Sequence, residues 1–373
     1  MRESLTLSER IIASRAPRDQ AGAVSIDDIR LGDWTPRSMM RVRETPIETP
    51  QTPCIDIHNH LGRWLSDDGG WMIDDVEALL AMMDARHVET IVNLDGMWGD
   101  ELDANLERYD LAHPGRFVTF CQLDWAELAA DDGVERLRAS LDDSAARGAR
   151  GLKIWKNLGL TVRDSAGALI LPDDPRIVAV VTRAGELGLP VLIHTADPKA
   201  FFEPLDARNE RIDELMQMKE WWFGDPTVHP SFDGLLLAHR RLVEACPAVR
   251  FIGAHAGCAA EDLDLVERLL EDCPNYTIDI GGRMAELGRQ PRRFRQLLER
   301  HPDRVLFGTD IYPATAEQYR LHFRFLETDD EAFAYAPDSE VPPQGRWTVS
   351  ALGLPAEILE RVYRANALRV LGA

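Results

Sequence analysis

The sequence is poor in cysteine and has no long apolar runs. Five cysteines stand among 373 residues, none in Cys-x-x-Cys spacing, so reduced buried thiols are expected instead of a disulfide or cysteine-rich zinc framework. No segment reaches the roughly 20 apolar residues of a membrane span. Residues 1–19 carry charges throughout and lack the apolar centre of a signal peptide. We therefore expect a cytoplasmic protein.

Positive charge is also scarce. Lysine and arginine total 42 against 63 aspartates and glutamates, a formal net charge of −21. Such a field repels nucleic acids and anionic membranes, so neither is an expected partner. A soluble enzyme for small molecules fits this balance, and the sequence is compatible with a homo-oligomer such as a dimer.

The chain also lacks a Gly-x-Gly-x-x-Gly turn after its first strand-like run, which disfavours an open dinucleotide-binding sheet. From residue 54 onward, short β-branched runs alternate with amphipathic helical patterns, which is typical of parallel strands joined by helices. Eight runs match the number that closes a (β/α)8 TIM barrel. We predict this α/β fold over residues 51–373, with strands at 54–60, 89–95, 117–123, 151–155, 190–195, 250–255, 276–280 and 304–310.

Three segments do not belong to a minimal barrel. Residues 1–50 are polar and interrupted by prolines, and we interpret them as an N-terminal extension or arm. Long insertions follow strands five and eight, at about 197–238 and 312–353. Both leave the strand ends where barrel enzymes keep their sites. Six aromatic residues lie between Phe201 and Phe232, so residues 198–237 are predicted to pack as a lid.

The first predicted strand reads Cys-Ile-Asp-Ile-His-Asn-His. Because side chains alternate along a strand, Asp56, His58 and His60 are predicted to share one face. Two neighbouring imidazoles at a strand end offer two neutral nitrogen ligands to one metal ion. An edge strand that carries two solvated histidines is the alternative.

Polar residues also end five later strands. Each could be structural by itself, as a buried imidazole or a turn residue. The ends of barrel strands converge around one axis, however, so together they predict a metal site with a proton-transfer group. Asp279 is interpreted as an acceptor that orients an imidazole, with a structural cap as the alternative. The five residues are Lys153, His194, His255, Asp279 and Asp310.

Six motifs in order give a family resemblance over residues 54–373. They are D-I-H-N-H-L-G at 56–62, G-L-K at 151–153, L-I-H at 192–194, G-A-H-A-G at 253–257, L-F-G-T-D at 306–310 and N-A-L-R-V-L at 366–371. With them the sequence resembles the amidohydrolase superfamily. Within it, the chain is similar to the branch of aminocarboxymuconate-semialdehyde decarboxylase-like enzymes and lactone hydrolases.

The resemblance implies one divalent metal, with zinc expected and manganese as the alternative. It implies four ligands, which are His58, His60, His194 and Asp310, and it makes His255 the acid/base histidine. In binuclear members of the superfamily, a carboxylated lysine at the position of Lys153 bridges two ions. The branch typically has one metal, so we predict one and interpret Lys153 as a cation that contacts either the substrate or the ligands of the metal.

The expected reaction is hydrolysis of a C–O or C–N bond in a small cyclic or aromatic-derived acid. A metal-activated water would attack, Asp310 would accept its proton, and His255 would polarise the carbonyl or hold the water. Non-oxidative decarboxylation by the same residues is the alternative. A non-catalytic binding barrel is the third hypothesis, but it would be expected to lose ligands, and none is lost.

Basic residues at three strand ends of an acidic chain indicate the charge of the substrate. A guanidinium matches a carboxylate in a bidentate pair, so a substrate that bears a carboxylate is expected. A surface role for each cation is the alternative. The predicted substrate-binding residues are Arg63, Lys153, Trp155 and Arg283.

Overall fold

The computed structural model describes residues 26–30, 33–34 and 38–372. The chain divides into two compact units after Arg41. In the first unit the described residues include a short 3-10 turn at Ile26–Asp28. The predicted extension over residues 1–50 lies largely outside the described residues, and its last part, from Val42, belongs to the second unit.

All eight predicted strands are confirmed, although each is shorter than predicted. Their order along the chain is also their order in the sheets, since the first three strands pair in one parallel sheet and the last five pair in another. They are β1 Cys54–Asn59, β2 Val88–Asn93, β3 Phe117–Thr119, β4 Leu152–Ile154, β5 Val191–Ile193, β6 Phe251–Gly253, β7 Tyr276–Asp279 and β8 Val305–Leu306.

Backbone hydrogen bonds join the edges of the two sheets. Cys121, two residues after β3, forms a parallel bridge with Leu152 of β4. Between β1 and β8, the Ile57 N–H donates to the Phe307 oxygen at 3.1 Å, and the Asp310 N–H donates to the His58 oxygen at 2.8 Å. Because the two sheets are joined at both pairs of edges, the strands form the predicted TIM barrel.

Helices follow the strands. Pro175 and Pro291 each open a helix, and proline suits the first helical turn, where an N–H is not needed. Two helices, Gly99–Asn105 and Ala356–Glu360, continue as π-helical turns at Leu106–Leu111 and Arg361–Ala365. The helices are α1 Val76–Ala85, α2 Gly99–Asn105, α3 Gly133–Arg147, α4 Pro175–Glu186, α5 Ile212–Gln217, α6 Phe232–Ala245, α7 Leu263–Asp272, α8 Pro291–Arg300, α9 Ala316–Glu327, α10 Ala356–Glu360 and α11 Asn366–Leu371.

No helix within the described ranges combines the length and apolar character needed to cross a bilayer. One-turn segments at Asn157–Leu160, Ala254–Gly257 and Met284–Leu287, and 3-10 turns at Trp125–Ala129, Lys199–Phe202 and Lys219–Trp221, complete the described helical structure of the second unit. Most of them lie in connections that follow strands, so they shape the strand-end face of the barrel.

The barrel interior is apolar. Ile55, Val92, Leu192 and Ile252 belong to one contacting cluster although their strands are not all neighbours, which places them inside the barrel. Val370 of α11 packs against the same cluster. The five cysteines are buried and free, as predicted. Burial of this apolar surface is the main stabilising contribution to the fold.

The two insertions are folded segments. In the first, Phe201, Leu215, Phe223 and Phe232 are buried in one cluster, which explains why so many aromatic residues occur in a connection. The second carries α9 and an antiparallel bridge between Phe333 and Val349. Both therefore have apolar contacts of their own that hold them at the strand-end face.

Gly253→Ala should destabilise the fold by about 1–3 kcal/mol, the usual cost of overpacking a core. A Cβ at this position would overlap the buried hydroxyl of Tyr276. Chemical denaturation measures the change. Gly234→Ala is the control, since its Cβ would lie 3.0 Å from the Ser231 hydroxyl at a helix start. Equal stability of the Gly253 variant and wild type would contradict the packing described here.

Candidate metal centre

β1 brings two histidines to its carboxyl end. The ring centroids of His58 and His60 lie 5.7 Å apart, and both residues are buried. The strand register shifts between Asp56 and Asn59. The Asp56 carboxylate accepts hydrogen bonds from the Thr309 hydroxyl at 2.6 Å and the Tyr319 hydroxyl at 2.8 Å. Asp56 thus ties β1 to α9 and does not line the cavity with the histidines.

Buried carboxylates orient both imidazoles. His58 Nδ1 lies 2.9 Å from Asp279 Oδ2, and His60 Nδ1 lies 2.6 Å from Asp95 Oδ1. Each carboxylate accepts a hydrogen bond from Nδ1, so in the neutral form of each ring the lone pair lies on Nε2. The predicted contact of Asp279 with an imidazole is confirmed. Asp95, which ends the second predicted strand, was not predicted to have this role.

The Asp310 carboxylate lies close to the Nε2 atoms of both histidines. Its Oδ1 lies 3.5 Å from His58 Nε2 and 3.4 Å from His60 Nε2, and one ligand atom of each residue lies within 4.8 Å of the others. Burial alone would lower the pKa of His60, but Asp95 and Asp310 outweigh it and raise this pKa to about 9. At this pKa the ring of His60 carries a positive charge at neutral pH, and a divalent cation bound at Nε2 would take the place of the second proton. Two lone-pair nitrogens and a carboxylate fit a divalent cation.

His194 has an open nitrogen. Its Nε2 is buried and has no hydrogen-bond partner in the described part of the chain, while Asp197 Oδ1 lies 3.5 Å away. Burial lowers the pKa of His194 to about 4, so the ring is neutral. The ring packs against His255 at 4.3 Å between centroids and is not part of the three-residue convergence. Its place as a fourth ligand stays a prediction.

His255 sits in a strained turn. It and Ala256 have φ angles of 60° and 55°, in the left-handed region that costs about 1 kcal/mol or more per residue. Asp279 Oδ1 accepts the His255 backbone N–H at 3.0 Å, and the Gly281 oxygen accepts from Nδ1 at 2.7 Å. Burial lowers the pKa of His255. Its Nε2 is therefore an unprotonated acceptor in a ring that lines the cavity.

Lys153 is buried next to these ligands. Its Nζ lies 3.4 Å from His58 Nε2, and burial lowers its pKa. It is not among the residues that line the cavity. The structure therefore brings Lys153 to the metal-ligand nitrogen and not to the space open to substrate. Both the single-ion prediction and the bridging-lysine alternative are compatible with this position.

The site opens into a cavity of about 240 Å³. Trp155 and Arg283 line it, as their predicted role requires. Arg63 does not. Its guanidinium pairs with Glu101 at 2.5 Å and lies over the Trp71 ring at 4.7 Å, so the structure does not bring it to the cavity.

The cations of the cavity differ in their partners. Lys156 pairs with Asp197 at 2.5 Å, and buried Arg211 pairs with Glu214 at 2.7 Å and with Glu286. Arg283 is 7% exposed, and its Nη1 donates to the Gly282 oxygen at 2.9 Å. Within the described ranges no carboxylate forms an ion pair with it. A buried guanidinium without a counter-ion is costly, which makes Arg283 the cation of the cavity that is open to an anionic ligand.

The insertions close the cavity. Phe201 and Trp221 of the first insertion stack at 6.1 Å between centroids and line the space, so the predicted covering of the site by residues 198–237 is confirmed. Tyr312 and Gln344 line it from the second insertion. Sequence reasoning missed these two residues, as well as Arg211 and Glu214, because side chains in insertions follow no periodic pattern. Asp197 was also missed. Its position three residues after His194, a predicted metal ligand, could have indicated that it lies near the site.

Asp95→Ala should weaken metal affinity by about 10–100-fold, because it removes the group that fixes the His60 tautomer. Competition with a fluorescent chelator would measure the affinity. Asp110→Asn is the control, since this carboxylate bonds to Thr119 and lies outside the cavity. A loss of similar size in both variants would mean that Asp95 acts only through stability.

Comparisons with known proteins bear on this site. The sequence profile of a family described as amidohydrolase matches residues 55–373. No curated protein sequence matches the chain. Similar solved structures include a 2,6-dihydroxybenzoate decarboxylase complexed with 2,6-dihydroxybenzoate, at 16% identity and a TM-score of 0.54, covering 87% of this chain and 100% of the other.

Two further structures are similar over nearly the same length. One is a dihydroxybenzoic acid decarboxylase from Polaromonas sp. JS666 with bound manganese and the inhibitor 2-nitroresorcinol, at 14% identity and a TM-score of 0.53, covering 86% of this chain and 97% of that one. The other is an amidohydrolase from Burkholderia multivorans with bound HEPES, at 16% identity and a TM-score of 0.50, covering 86% and 99%. At these identities the likeness shows a shared fold.

Proposed function

The chain belongs to the amidohydrolase family, and we propose that it is a metal-dependent hydrolase for a C–O or C–N bond of a small acid with a cyclic or aromatic-derived skeleton. One observation carries the proposal. The Nε2 atoms of His58 and His60 converge on Asp310, and a buried carboxylate fixes the proton of each ring on the opposite nitrogen.

In this proposal His58, His60 and Asp310 hold one divalent ion, and His194 supplies the fourth ligand through its unpartnered Nε2. Imidazoles with one carboxylate suit zinc, with manganese as the alternative. Such an ion would supply Lewis acidity and lower the pKa of a water molecule to about 7.

The protein groups around the ligands have separate tasks. Asp310 accepts the proton of the attacking water, because its side chain stays partly exposed to the cavity. His255 presents a neutral acceptor nitrogen, since its Nδ1 proton is held by the Gly281 oxygen. This geometry supports the second of its two expected roles, which is holding the water. Trp155 and the lid aromatics exclude bulk water from the reaction.

The charge of the substrate is inferred from Arg283. The other cations that line the cavity have carboxylate partners, whereas Arg283 has only the Gly282 oxygen among the described residues. A substrate carboxylate would complete a charge-assisted pair there. The acid group would thereby be held beside His255 and Asp310, which line the same cavity.

Decarboxylation is the second candidate. Two of the structures that share the fold are decarboxylases of dihydroxybenzoates. An acid in this cavity would lie near His255, whose unprotonated Nε2 could accept a proton from water and pass it to the carbon that loses carbon dioxide. The same ligands and the same cation would serve both reactions.

A substrate screen distinguishes the two reactions. Protein loaded with Zn²⁺ or Mn²⁺ is incubated with carboxylated lactones, amides and aromatic acids, and both acid release and carbon dioxide release are measured. Ring opening or amide cleavage without carbon dioxide supports the hydrolase. Carbon dioxide release supports the second candidate, and turnover that does not depend on metal contradicts both. His255→Asn is the control for background reaction.

A further inference from the structure

Gln344 and Arg283 meet at one backbone oxygen. Gln344 Nε2 and Arg283 Nη1 each donate to the Gly282 carbonyl oxygen at 2.9 Å. Gln344 comes from the second insertion, and Arg283 follows β7. Both line the cavity. Their polar ends therefore lie side by side on the same wall.

The backbone around Gln344 is fixed by Tyr335. The Tyr335 hydroxyl accepts from the Gln344 N–H at 3.1 Å and the Gly345 N–H at 2.9 Å, and it donates to the Gly345 oxygen at 2.9 Å. Trp347 stacks on Tyr335 at 6.4 Å and donates from Nε1 to the Ala285 oxygen at 3.0 Å. Tyr335 thus braces the insertion internally, and Trp347 attaches it to the segment after β7, so the Gln344 side chain is presented from a fixed backbone.

The hydrogen bond to Gly282 also fixes the orientation of the Gln344 amide. A carbonyl oxygen needs a donor, so the NH₂ group faces Gly282 and Oε1 is the remaining polar atom. No donor in the described part of the chain reaches Oε1. The cavity wall therefore offers a free acceptor beside a cation that has no carboxylate partner.

We infer that Gln344 is a specificity-determining residue whose Oε1 accepts a hydrogen bond from a hydroxyl or N–H group next to the substrate's acid group. The inference rests on the proposed function, since it requires an acid bound at Arg283. It narrows the substrate class to acids that carry a hydrogen-bond donor near the carboxylate. An analogue without the donor leaves Oε1 without this hydrogen bond, so the site should discriminate against it.

Calorimetric titration of the metal-loaded, full-length protein tests this inference. The probes are 2- and 3-hydroxybenzoate and their methoxy counterparts, which keep the acid and the oxygen but lack the donor. Gln344→Met should weaken binding of the better hydroxybenzoate by about 3–10-fold, the usual worth of one hydrogen bond, and leave the matching methoxybenzoate unchanged. Gln344→Glu keeps an acceptor but adds a carboxylate beside Arg283, so it should weaken binding of all four acids while the preference for hydroxyl over methoxyl persists. Gln217→Met, outside the cavity, is the matched control.

The outcomes separate this inference from the proposed function. Equal losses for hydroxy and methoxy probes in Gln344→Met overturn the inference alone, provided that Arg283→Met still weakens every acid. If Arg283→Met binds all four acids as wild type does, the acid-substrate proposal fails. If no probe binds wild type at millimolar concentration, both fail. Unfolding temperatures confirm that each variant is folded.

Discussion

Replacing His255 by asparagine should reduce turnover by about a hundredfold or more and leave the bound metal in place. The ring lines the cavity and keeps a free nitrogen, but it lies outside the convergence of His58, His60 and Asp310. The substitution removes a group that positions the water, but it removes none of these three metal ligands. Rates on the substrate found by screening, with metal content on the same samples, measure both quantities.

Asp310→Asn gives the matched comparison. It should lose turnover and also part of its metal, because Asp310 is the carboxylate on which both histidines converge. Equal metal loss in the two variants would show that His255 is a ligand. Full metal content in both would remove Asp310 from the metal centre.

Arg283→Met should selectively lose activity on acids. A charge-assisted hydrogen bond contributes roughly 1.5–3 kcal/mol, which corresponds to a loss of about 10–150-fold on an acid substrate. The neutral ester or amide of the same compound should react at nearly the wild-type rate, because it makes no ion pair with the guanidinium. Comparing kcat/KM for each pair of compounds measures the difference.

Arg63→Met is the control for that experiment. Arg63 pairs with Glu101 outside the cavity, so its removal should affect acid and neutral compounds alike. Equal losses on both compounds in the Arg283 variant would leave this cation with a structural role.

Much of the framework could be predicted because it depends on short-range periodicity. Eight apolar runs spaced by helical patterns give the strands, and barrel topology then brings distant strand ends together. For this reason His58, His60 and Asp310 were placed in one site although about 250 residues separate the histidines from the aspartate. The bend in β1 that turns Asp56 toward Tyr319 depends on a register shift, which alternation alone does not reveal.

Side-chain direction was the limit of the sequence analysis. Arg63 stands three residues after His60, yet it turns to Glu101. Lys153 lies in β4, but its ammonium lies against His58 instead of in the cavity. Gln344 lines the site from an insertion whose backbone Tyr335 and Trp347 fix. Such contacts depend on partners far away in the sequence, and no local pattern encodes them.

Elemental analysis of the purified protein tests the metal centre most directly. We expect about one equivalent of a divalent metal per chain, and we expect His60→Ala to lose most of it while Asp110→Asn keeps it. Two equivalents, with Lys153 carboxylated between them in a crystal structure, would contradict the single-ion site. No bound metal after supplementation with either zinc or manganese would contradict the metal centre as a whole.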